Sequence, residues 1–364
     1  MQRKIPQLDG VRGVAILVVL AHNFHGFYTP PFSYVTTYGW MGVDLFFVLS
    51  GFLITGILLD TKPSGGYFRN FYARRCLRIW PLYYCVLVLM FAVIPHIRPQ
   101  DAAEILRRSH PWWSYPFFLQ NFFVMEPSLA VGPLGVSWSL AVEELFYLFW
   151  PLFVRFLPVR RLELCAWTVC FVSPLLRQVF ASHGWLIYSN PFCRLDGLMA
   201  GALLAILVRK SDFAPKRYLV PAWAALLFAG PLAIIAELYG AHWLTFSLTT
   251  VASSGFVYLA QFSNWSWVKA ILTNRYLMFS GTISYGLYLL HKLPEDALKS
   301  VGFLLIHPSA AFWISVTVAY LVAGASWYLL EKPILGLKRF FESKPGRQAE
   351  SAAAPPQAIQ SEIT

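Results

Sequence analysis

Apolar stretches of about twenty residues recur along the chain, and short segments between them carry most of the charges. A helix needs about 20 predominantly apolar residues to cross the hydrocarbon core of a bilayer, within a range of roughly 17–25. Ten stretches meet this requirement, so the pattern predicts an all-α polytopic integral membrane bundle of about ten transmembrane helices. The predicted spans are residues 8–28, 40–59, 79–95, 138–157, 162–180, 191–208, 219–238, 242–262, 276–293 and 310–330.

One apolar segment, residues 112–125, is too short to cross a membrane. It contains Trp112, Trp113 and Tyr115, and such side chains favour the boundary between hydrocarbon and water. We therefore predict that this segment is interfacial or re-entrant.

Composition agrees with a membrane protein. Hydrophobic residues make up 57% of the 364 residues and charged residues only 13%, whereas soluble domains usually contain about a quarter charged residues. The five cysteines have neither the spacing of metal ligands nor that of a disulfide framework, so we expect no metal site.

The basic residues are divided unequally between the two sets of predicted loops. One set, which includes both termini, holds 22 of the 29 Lys and Arg residues; the other holds 5, and Arg177 and Arg194 lie inside spans. Because basic residues concentrate in cytoplasmic loops, both termini are predicted to be cytoplasmic. Topology then explains the net charge of +11, and nucleic acid is not expected as a partner. We predict a transmembrane domain over 1–340, followed by a polar, disordered cytoplasmic tail over 341–364.

Ionisable residues inside the predicted spans share one depth, near the outer end of their helices. Such groups are costly in a membrane and are functional candidates. A shared depth predicts one polar cavity that is open, or nearly open, to the outside, although each residue alone has an equally good structural explanation. For His22 a functional role is the favoured explanation, because the residue is a proton acceptor at neutral pH within a very apolar stretch. The residues are His22, Asp44, Glu143, Glu144, Arg194, Asp196 and His291.

A second cluster, at the opposite membrane face, contains Arg69, Arg74, Arg75 and Arg78 just before a predicted span. Guanidinium groups make bidentate contacts with phosphates. Composition alone equally supports anchoring at the cytoplasmic surface, so both interpretations stay open.

Seven motifs follow one another along the chain. They are LDGVRGVAILVVLAHNF (8–24), GVDLFFVLSGFLIT (42–55), YARRCLRIWPLYY (72–84), SWSLAVEELFYLFWP (137–151), RLDGLMAGALLA (194–205), ISYGLYLLH (283–291) and EKP (331–333). In this order they resemble the motifs of the membrane acyltransferase family 3. Members of this family are bacterial inner-membrane proteins that acylate cell-envelope sugars, antibiotics and related hydroxyl compounds.

The resemblance implies transfer of an acyl group, most commonly acetyl, from cytoplasmic acyl-coenzyme A to a carbohydrate hydroxyl outside the membrane. Arg75 and Arg78, with Arg74, would bind the coenzyme phosphates. His22 would act as general base, and an acyl-histidine intermediate is the alternative. Arg12 is the arginine of the first motif, and the resemblance implies that it is one of the catalytic residues.

The remaining residues at the shared depth are assigned roles by position alone. Asp44 or Glu143 could orient the His22 imidazole, and Arg194 or a backbone amide could stabilise an oxyanion. Glu144, Arg194, Asp196 and His291 are predicted to bind the acceptor substrate. We expect no permanently bound cofactor, because acyl-coenzyme A would act as a co-substrate.

The spacing between Arg12 and His22 departs from the family pattern. The arginine usually precedes the histidine by eleven positions, and here it does so by ten, which leaves the two side chains roughly 80° apart around the helix. His25 is therefore an alternative catalytic residue, although it lies outside the apolar core.

Two other functions compete with acyl transfer. A transporter or flippase would also use intramembrane acids and histidine, but it would not need the arginine cluster or the ordered motifs. A structural subunit of an envelope-assembly complex would be insensitive to replacement of His22. The sequence leaves the acceptor open among several envelope glycans and small glycosides.

Overall fold

The protein is described by a computed structural model over residues 5–24, 36–124, 126 and 130–341. In this part of the chain every regular element is a helix, which confirms the all-α class. His25, the end of the first predicted span and residues 342–364 lie outside the described residues.

Within the described residues, eleven helices form the bundle, and further helices connect them. The bundle helices are α1 (Pro6–Asn23), α2 (Thr36–Thr61), α3 (Tyr67–Ile97), α4 (Trp138–Phe156), α5 (Val159–Ser182), α6 (Pro191–Leu207), α7 (Pro215–Leu238), α8 (His242–Phe262), α9 (Arg275–Thr282), α10 (Ser284–Leu290) and α11 (Ser309–Phe341). The connecting helices include Pro99–Arg108, Trp112–Phe117, Gln120–Phe123, Pro133–Val136, Ser266–Leu272, Lys292–Ser300 and Phe303–Ile306.

Among the described residues, six helices are long and apolar enough to cross a membrane: α2, α3, α5, α7, α8 and α11. The chain is therefore a multi-pass membrane protein. The predicted number of ten spans and the cytoplasmic location of both termini stay predictions. The other four predicted spans coincide with helices that are short, interrupted or charged, since α6 has 17 residues and α9 and α10 are separate helices.

The short, charged helix α6 lies inside the bundle, since 11 of its 17 residues are buried, Arg194 and Asp196 among them. The apolar helix α5 lies at the periphery, where few of its residues are buried. Neighbouring helices can supply partners for ionisable groups in the interior, whereas lipid cannot. A search for long apolar helices therefore misses helices that carry charged side chains in the interior of the bundle.

Two helices extend further than their apolar stretches predict. The third predicted span begins at residue 79, but α3 begins at Tyr67 and runs for 31 residues. Gly66, in a left-handed conformation with φ of 74°, precedes its first turn. Arginine is a good helix former, so the arginine cluster belongs to the helix instead of preceding it. Similarly, α11 continues to Phe341 and not to residue 330.

Three helices contain one π-helical turn, and each turn ends two residues before a proline. The turns are Leu89–Val93 before Pro95, Ala225–Ala229 before Pro231, and Trp327–Glu331 before Pro333. Proline has no backbone N–H and crowds the preceding turn, and the wider π turn accommodates it without ending the helix.

Glycines allow two pairs of central helices to cross closely. A Cβ atom on Gly51 of α2 would lie 1.9 Å from the carbonyl oxygen of Leu198 in α6, and one on Gly201 of α6 would lie 2.0 Å from that of Val48. At the crossing of α1 and α9, a Cβ on Gly281 would lie 1.8 Å from the Asp9 carbonyl oxygen. Small residues at such crossings are typical of membrane helix pairs. These contacts fix α1, α2 and α6 around the interior.

The segment predicted to be interfacial forms two short helices, Trp112–Phe117 and Gln120–Phe123. Trp112, Trp113 and Phe117 are exposed on the surface of the protein. Residue 125, at its end, lies outside the described residues.

Candidate functional site

A cavity of about 710 Å³, its mouth included, lies between α1, α2, α3, α4 and α10. Its apolar wall is formed mainly by α2 and includes Val43, Phe46 and Phe47. A pocket with an apolar wall and a few convergent polar groups is typical of a small-molecule site. The polar residues that line it are Arg12, Ser50, Arg75, Arg78, Ser139, Glu143, Tyr147, Ser284, Tyr285 and Tyr288.

Arg75 is held between aromatic rings at one side of this cavity. Its guanidinium carbon lies 5.9 Å from the ring centre of Phe71 and 5.6 Å from that of Tyr147. Such cation–π contacts orient a guanidinium without using its N–H donors. Those donors are thus available for a ligand in the cavity.

Arg78 lies one turn further along α3 and has similar neighbours. Its guanidinium carbon is 5.8 Å from the ring centre of Tyr285 and 5.7 Å from that of Trp327. The nearest carboxylate, Glu331 of the EKP motif, is 3.8 Å away and almost completely buried. Glu331 therefore joins α11 to α3 at the side of the cavity.

Arg12 of α1 provides the third guanidinium group of the cavity. It donates a hydrogen bond of 2.9 Å to Asp9, one turn earlier in the same helix. The sequence places Arg75 and Arg78 in one site, and the structure adds Arg12 to it. Three arginines on one cavity wall create a positive potential that attracts an anionic ligand.

Glu143 is the carboxylate that lines the same cavity. Ser50 donates a hydrogen bond of 2.7 Å to one carboxylate oxygen, and Tyr147 donates one of 3.1 Å to the other. The carboxylate is thereby fixed in position. Ser50 and Tyr147 were not predicted from the sequence, although Ser50 is a polar residue in the apolar run GVDLFFVLSGFLIT.

One end of the cavity is formed by Ser139 of α4 and Tyr288 of α10, which share a hydrogen bond of 2.6 Å between their hydroxyl groups. Beyond Tyr288 lies His291, with 6.2 Å between the two ring centres. His291 in turn contacts Phe24, which follows the last turn of α1, with 5.8 Å between ring centres. These contacts connect the cavity to the end of α1 that carries His22.

His291 is completely buried. Its Nδ1 lies 2.7 Å from the carbonyl oxygen of Tyr288. A carbonyl oxygen only accepts, so Nδ1 carries the proton and Nε2 has a lone pair. Within the described residues, Nε2 has no hydrogen-bond partner. Lys292, the next residue, donates a hydrogen bond of 3.5 Å to the carbonyl oxygen of Asn23 on α1.

His22 lies in the last turn of α1, and its Nδ1 is 2.6 Å from the carbonyl oxygen of Thr36 at the start of α2. By the same argument Nδ1 is the donor, so Nε2 is the basic nitrogen of the neutral ring. A Cβ atom on Gly39 would lie 2.8 Å from the His22 Cβ, so glycine is needed for this approach of α2. The group that accepts the Nδ1 proton is thus a backbone carbonyl.

Asp44 belongs to a buried network that does not line the cavity. Its carboxylate lies 3.0 Å from Arg194, and Asp196 lies 2.9 Å from Arg177. All four side chains are at most 4% exposed. Arg177 also donates a hydrogen bond of 2.9 Å to the Trp243 carbonyl oxygen.

Aromatic rings surround Arg194 in this network. Its guanidinium carbon lies 4.0 Å from the ring centre of Phe246 and 5.5–5.7 Å from those of Trp138, Tyr188 and Phe47. These rings separate the network from solvent. The predicted open cavity at one depth is therefore divided in the structure: Glu143 faces the arginine cavity, whereas Asp44, Arg194 and Asp196 form a closed ion-pair cluster.

The other predicted residues lie near the cavity without lining it. Glu144 is adjacent to Glu143 on α4, and Arg74 is exposed beside Arg75 on α3.

Comparison with known proteins agrees with the motifs. The family model described as an acyltransferase domain matches residues 5–331. A Listeria monocytogenes protein named "Peptidoglycan O-acetyltransferase OatA" is 28% identical over 92% of this chain and 56% of its own length. A Bacillus subtilis protein named "Putative peptidoglycan O-acetyltransferase YrhL" is 29% identical over 91% of this chain and 55% of its own length.

The chain thus spans little more than half the length of these relatives. No solved structure is significantly similar to it.

Proposed function

The chain belongs to the membrane acyltransferase family 3, and from this premise we propose that it transfers an acyl group from acyl-coenzyme A to a hydroxyl group of a carbohydrate acceptor. The observation that carries the proposal is the cavity in which Arg12, Arg75 and Arg78 meet beside an apolar wall. This combination matches a donor with phosphates at one end and a thin, uncharged arm at the other.

The phosphates of the donor bind the guanidinium groups of Arg75 and Arg78, whose N–H donors the flanking rings leave available. Charge-assisted hydrogen bonds to phosphate are stronger than neutral ones, and a guanidinium forms two at once. The arm of the donor lies along Phe46 and Phe47 and points towards Ser139 and Tyr288.

His22 acts as the general base in this proposal. It lies ten residues after Arg12 on α1, a rise of about 15 Å along the helix, so a long donor can reach both. Nδ1 donates to Thr36, which holds the ring with Nε2 as the basic atom. The same bond stabilises the imidazolium that forms when Nε2 takes a proton.

In the proposed reaction the acyl group passes directly from the sulfur of the donor to the oxygen of the acceptor. The acceptor hydroxyl oxygen bonds to the thioester carbonyl carbon while Nε2 of His22 accepts the hydroxyl proton. The carbon–sulfur bond breaks, and the coenzyme thiolate takes the proton from the imidazolium. Because the thioester is already activated, positioning and proton transfer are the main tasks of the protein.

The acceptor is proposed from the names of the relatives. Both are named for O-acetylation of peptidoglycan, so we assign the acyl group as acetyl and the acceptor class as a cell-envelope glycan. The protein would reside in the inner membrane, with acyl-coenzyme A from the cytoplasm and the glycan on the outer side. We propose that His291, whose Nε2 has no hydrogen-bond partner within the described residues, contacts the acceptor.

The test is acyl transfer by the purified protein in lipid nanodiscs. We expect acetyl-coenzyme A to be consumed only when a soluble peptidoglycan fragment or chitooligosaccharide is present, with one acetyl ester formed for each thiol released. Arg75→Gln and Arg78→Gln should raise the KM for the donor about tenfold or more. Arg69→Gln is the matched control, because Arg69 is exposed on the same helix and lies outside the cavity. A protein that translocates the glycan without consuming the thioester would contradict the proposal in favour of a flippase.

A further inference from the structure

The last turn of α11 lies against the arginine end of the cavity. Residues Leu337–Phe341 form a 3₁₀ turn that packs on α3, the helix that carries Arg74, Arg75 and Arg78. This contact lies close to the ion pair between Glu331 and Arg78, which fixes the same two helices together. The turn therefore has a defined position beside the cavity.

Lys338, in this turn, is half-buried among cations. Because its turn packs on α3, its positive charge lies near those of Arg74, Arg75 and Arg78 on that helix and of Arg12 on α1. No ion pair or hydrogen bond joins Lys338 to any residue in the described part of the chain. Five positive side chains thus lie in one region.

Nearby acidic groups neutralise only part of this charge. Asp9 pairs with Arg12, Glu331 lies 3.8 Å from Arg78, and Glu143 lines the cavity with Arg75, so three acidic side chains face five cations. Crowding of like charges destabilises a folded protein unless a bound anion offsets it. The arrangement therefore points to a ligand with several negative charges.

Three of the five cations line the cavity, and two lie outside its lining. Arg12, Arg75 and Arg78 line the cavity, whereas Arg74 is exposed and Lys338 is half-buried beyond the lining. A ligand held by the inner arginines through one anionic group would present a second anionic group to Lys338. Coenzyme A has this form, since its diphosphate joins the arm and its ribose carries a separate terminal phosphate.

We propose that Lys338 binds the terminal ribose phosphate of the acyl donor, outside the diphosphate that Arg75 and Arg78 hold. The inference rests on the proposed function, and it adds a residue that determines specificity for the phosphorylated donor. Lys338 lies in neither the catalytic histidine motif nor the arginine motif of α3, and its role follows from the position of the α11 turn.

The test compares coenzyme A with dephospho-coenzyme A, which lacks only the ribose phosphate. Binding is measured by calorimetry to wild-type protein, Lys338→Gln and Arg339→Gln in phosphatidylcholine nanodiscs, whose neutral lipid provides no competing anionic headgroup. Arg339 is the matched control: it is the next residue in the same turn, exposed, with its guanidinium 4.9 Å from the Phe340 ring centre.

Wild-type protein should bind coenzyme A more tightly than dephospho-coenzyme A. Lys338→Gln should lose about tenfold or more in affinity for coenzyme A and little for dephospho-coenzyme A, so that the preference disappears. Without ligand, Lys338→Gln should unfold at a higher temperature than wild type, because repulsion from the arginines is removed. A residue with a purely structural role would not combine higher stability with weaker binding.

Three outcomes are informative in the opposite direction. If wild-type protein binds neither coenzyme, the proposed function fails and this inference fails with it. If Lys338→Gln binds both as wild type does, the inference fails and the proposed function stands. If Lys338→Gln weakens the binding of both ligands equally, the assignment to the ribose phosphate is wrong.

Discussion

Ser50 of α2 donates a hydrogen bond of 2.7 Å to Glu143 of α4, within the cavity lined by three arginines. The Tyr147 hydroxyl group donates a hydrogen bond of 3.1 Å to the other carboxylate oxygen. The carboxylate thus has two neutral donors and faces a site assigned to an anionic ligand. Glu143 thus adds a carboxylate to a cavity that also contains three guanidinium groups, and its role in orienting His22 stays a prediction.

Replacement of this charge gives the first prediction. Glu143→Gln keeps a hydrogen-bonding side chain of the same shape but removes a negative charge that repels the donor phosphates. We expect acetyl-coenzyme A to bind a few-fold more tightly, by calorimetry, while the variant folds normally. Weaker donor binding by Glu143→Gln would mean that the carboxylate contacts the donor directly.

The buried pair of Asp44 and Arg194 gives the second prediction. Removing one member of a buried ion pair leaves an uncompensated charge, which typically destabilises a protein by about 3–5 kcal/mol. Arg194→Gln should therefore lower the unfolding temperature strongly in a detergent-solubilised thermal assay. The double variant Asp44→Asn with Arg194→Gln should recover much of the loss. A single variant as stable as wild type would show that Arg194 does not neutralise Asp44.

The crossing of α2 and α6 gives the third prediction. Gly51→Ala would bring a Cβ atom to 1.9 Å from the Leu198 carbonyl oxygen, so the helices must separate and the cavity wall must move. We expect loss of folded protein in size-exclusion chromatography. Gly324→Ala in α11 is the control, because a Cβ atom added there would have no neighbour within 4 Å and alanine is the better helix former. Equal yields of the two variants would contradict the close crossing.

Topology gives the fourth prediction. In a variant without the five native cysteines, a cysteine at Ser182 should react with a membrane-impermeant thiol reagent added to intact cells, and one at Ser211 should not. Both side chains are exposed, Ser182 at the end of α5 and Ser211 in the loop that follows α6. The expectation rests on the unequal distribution of basic residues. The reverse pattern of labelling would place the termini outside and move the arginine cavity to the opposite face.

The sequence was sufficient for features that depend on local pattern. Apolar stretches predict the helical class and most helix positions, and the ordered motifs predict the family that the matching residues 5–331 show. The helix α3 begins twelve residues before the predicted span, because Arg69–Arg78 is helical without being apolar and hydropathy does not detect it.

Features that depend on contacts between distant helices were not predictable in this way. Depth along a helix places Asp44, Glu143 and Arg194 at one level, but not on one face. The structure turns Asp44 and Arg194 into a closed cluster and leaves Glu143 in the cavity. Lys338 was predicted only as a basic residue near the C-terminus, because its approach to α3 depends on how α11 continues to Phe341.

The role of His22 is the central claim of this account. Its Nδ1 bond to the Thr36 carbonyl leaves Nε2 as the basic nitrogen, and the contacts from Tyr288 through His291 to Phe24 connect its helix end to the cavity lined by the arginines. Replacement of His22 should therefore affect the chemical step and leave the binding of the donor unchanged.

The most direct measurement is the rate of acetyl transfer from acetyl-coenzyme A to a glycan acceptor by His22→Ala in nanodiscs, with donor affinity measured on the same sample. We expect the rate to fall by about 10²–10⁴. Donor affinity should match that of wild type, and His25→Ala and the surface control His96→Ala should keep near-normal rates. A His22→Ala protein that transfers acetyl at a near-normal rate would contradict the account, as would loss of transfer in His25→Ala alone.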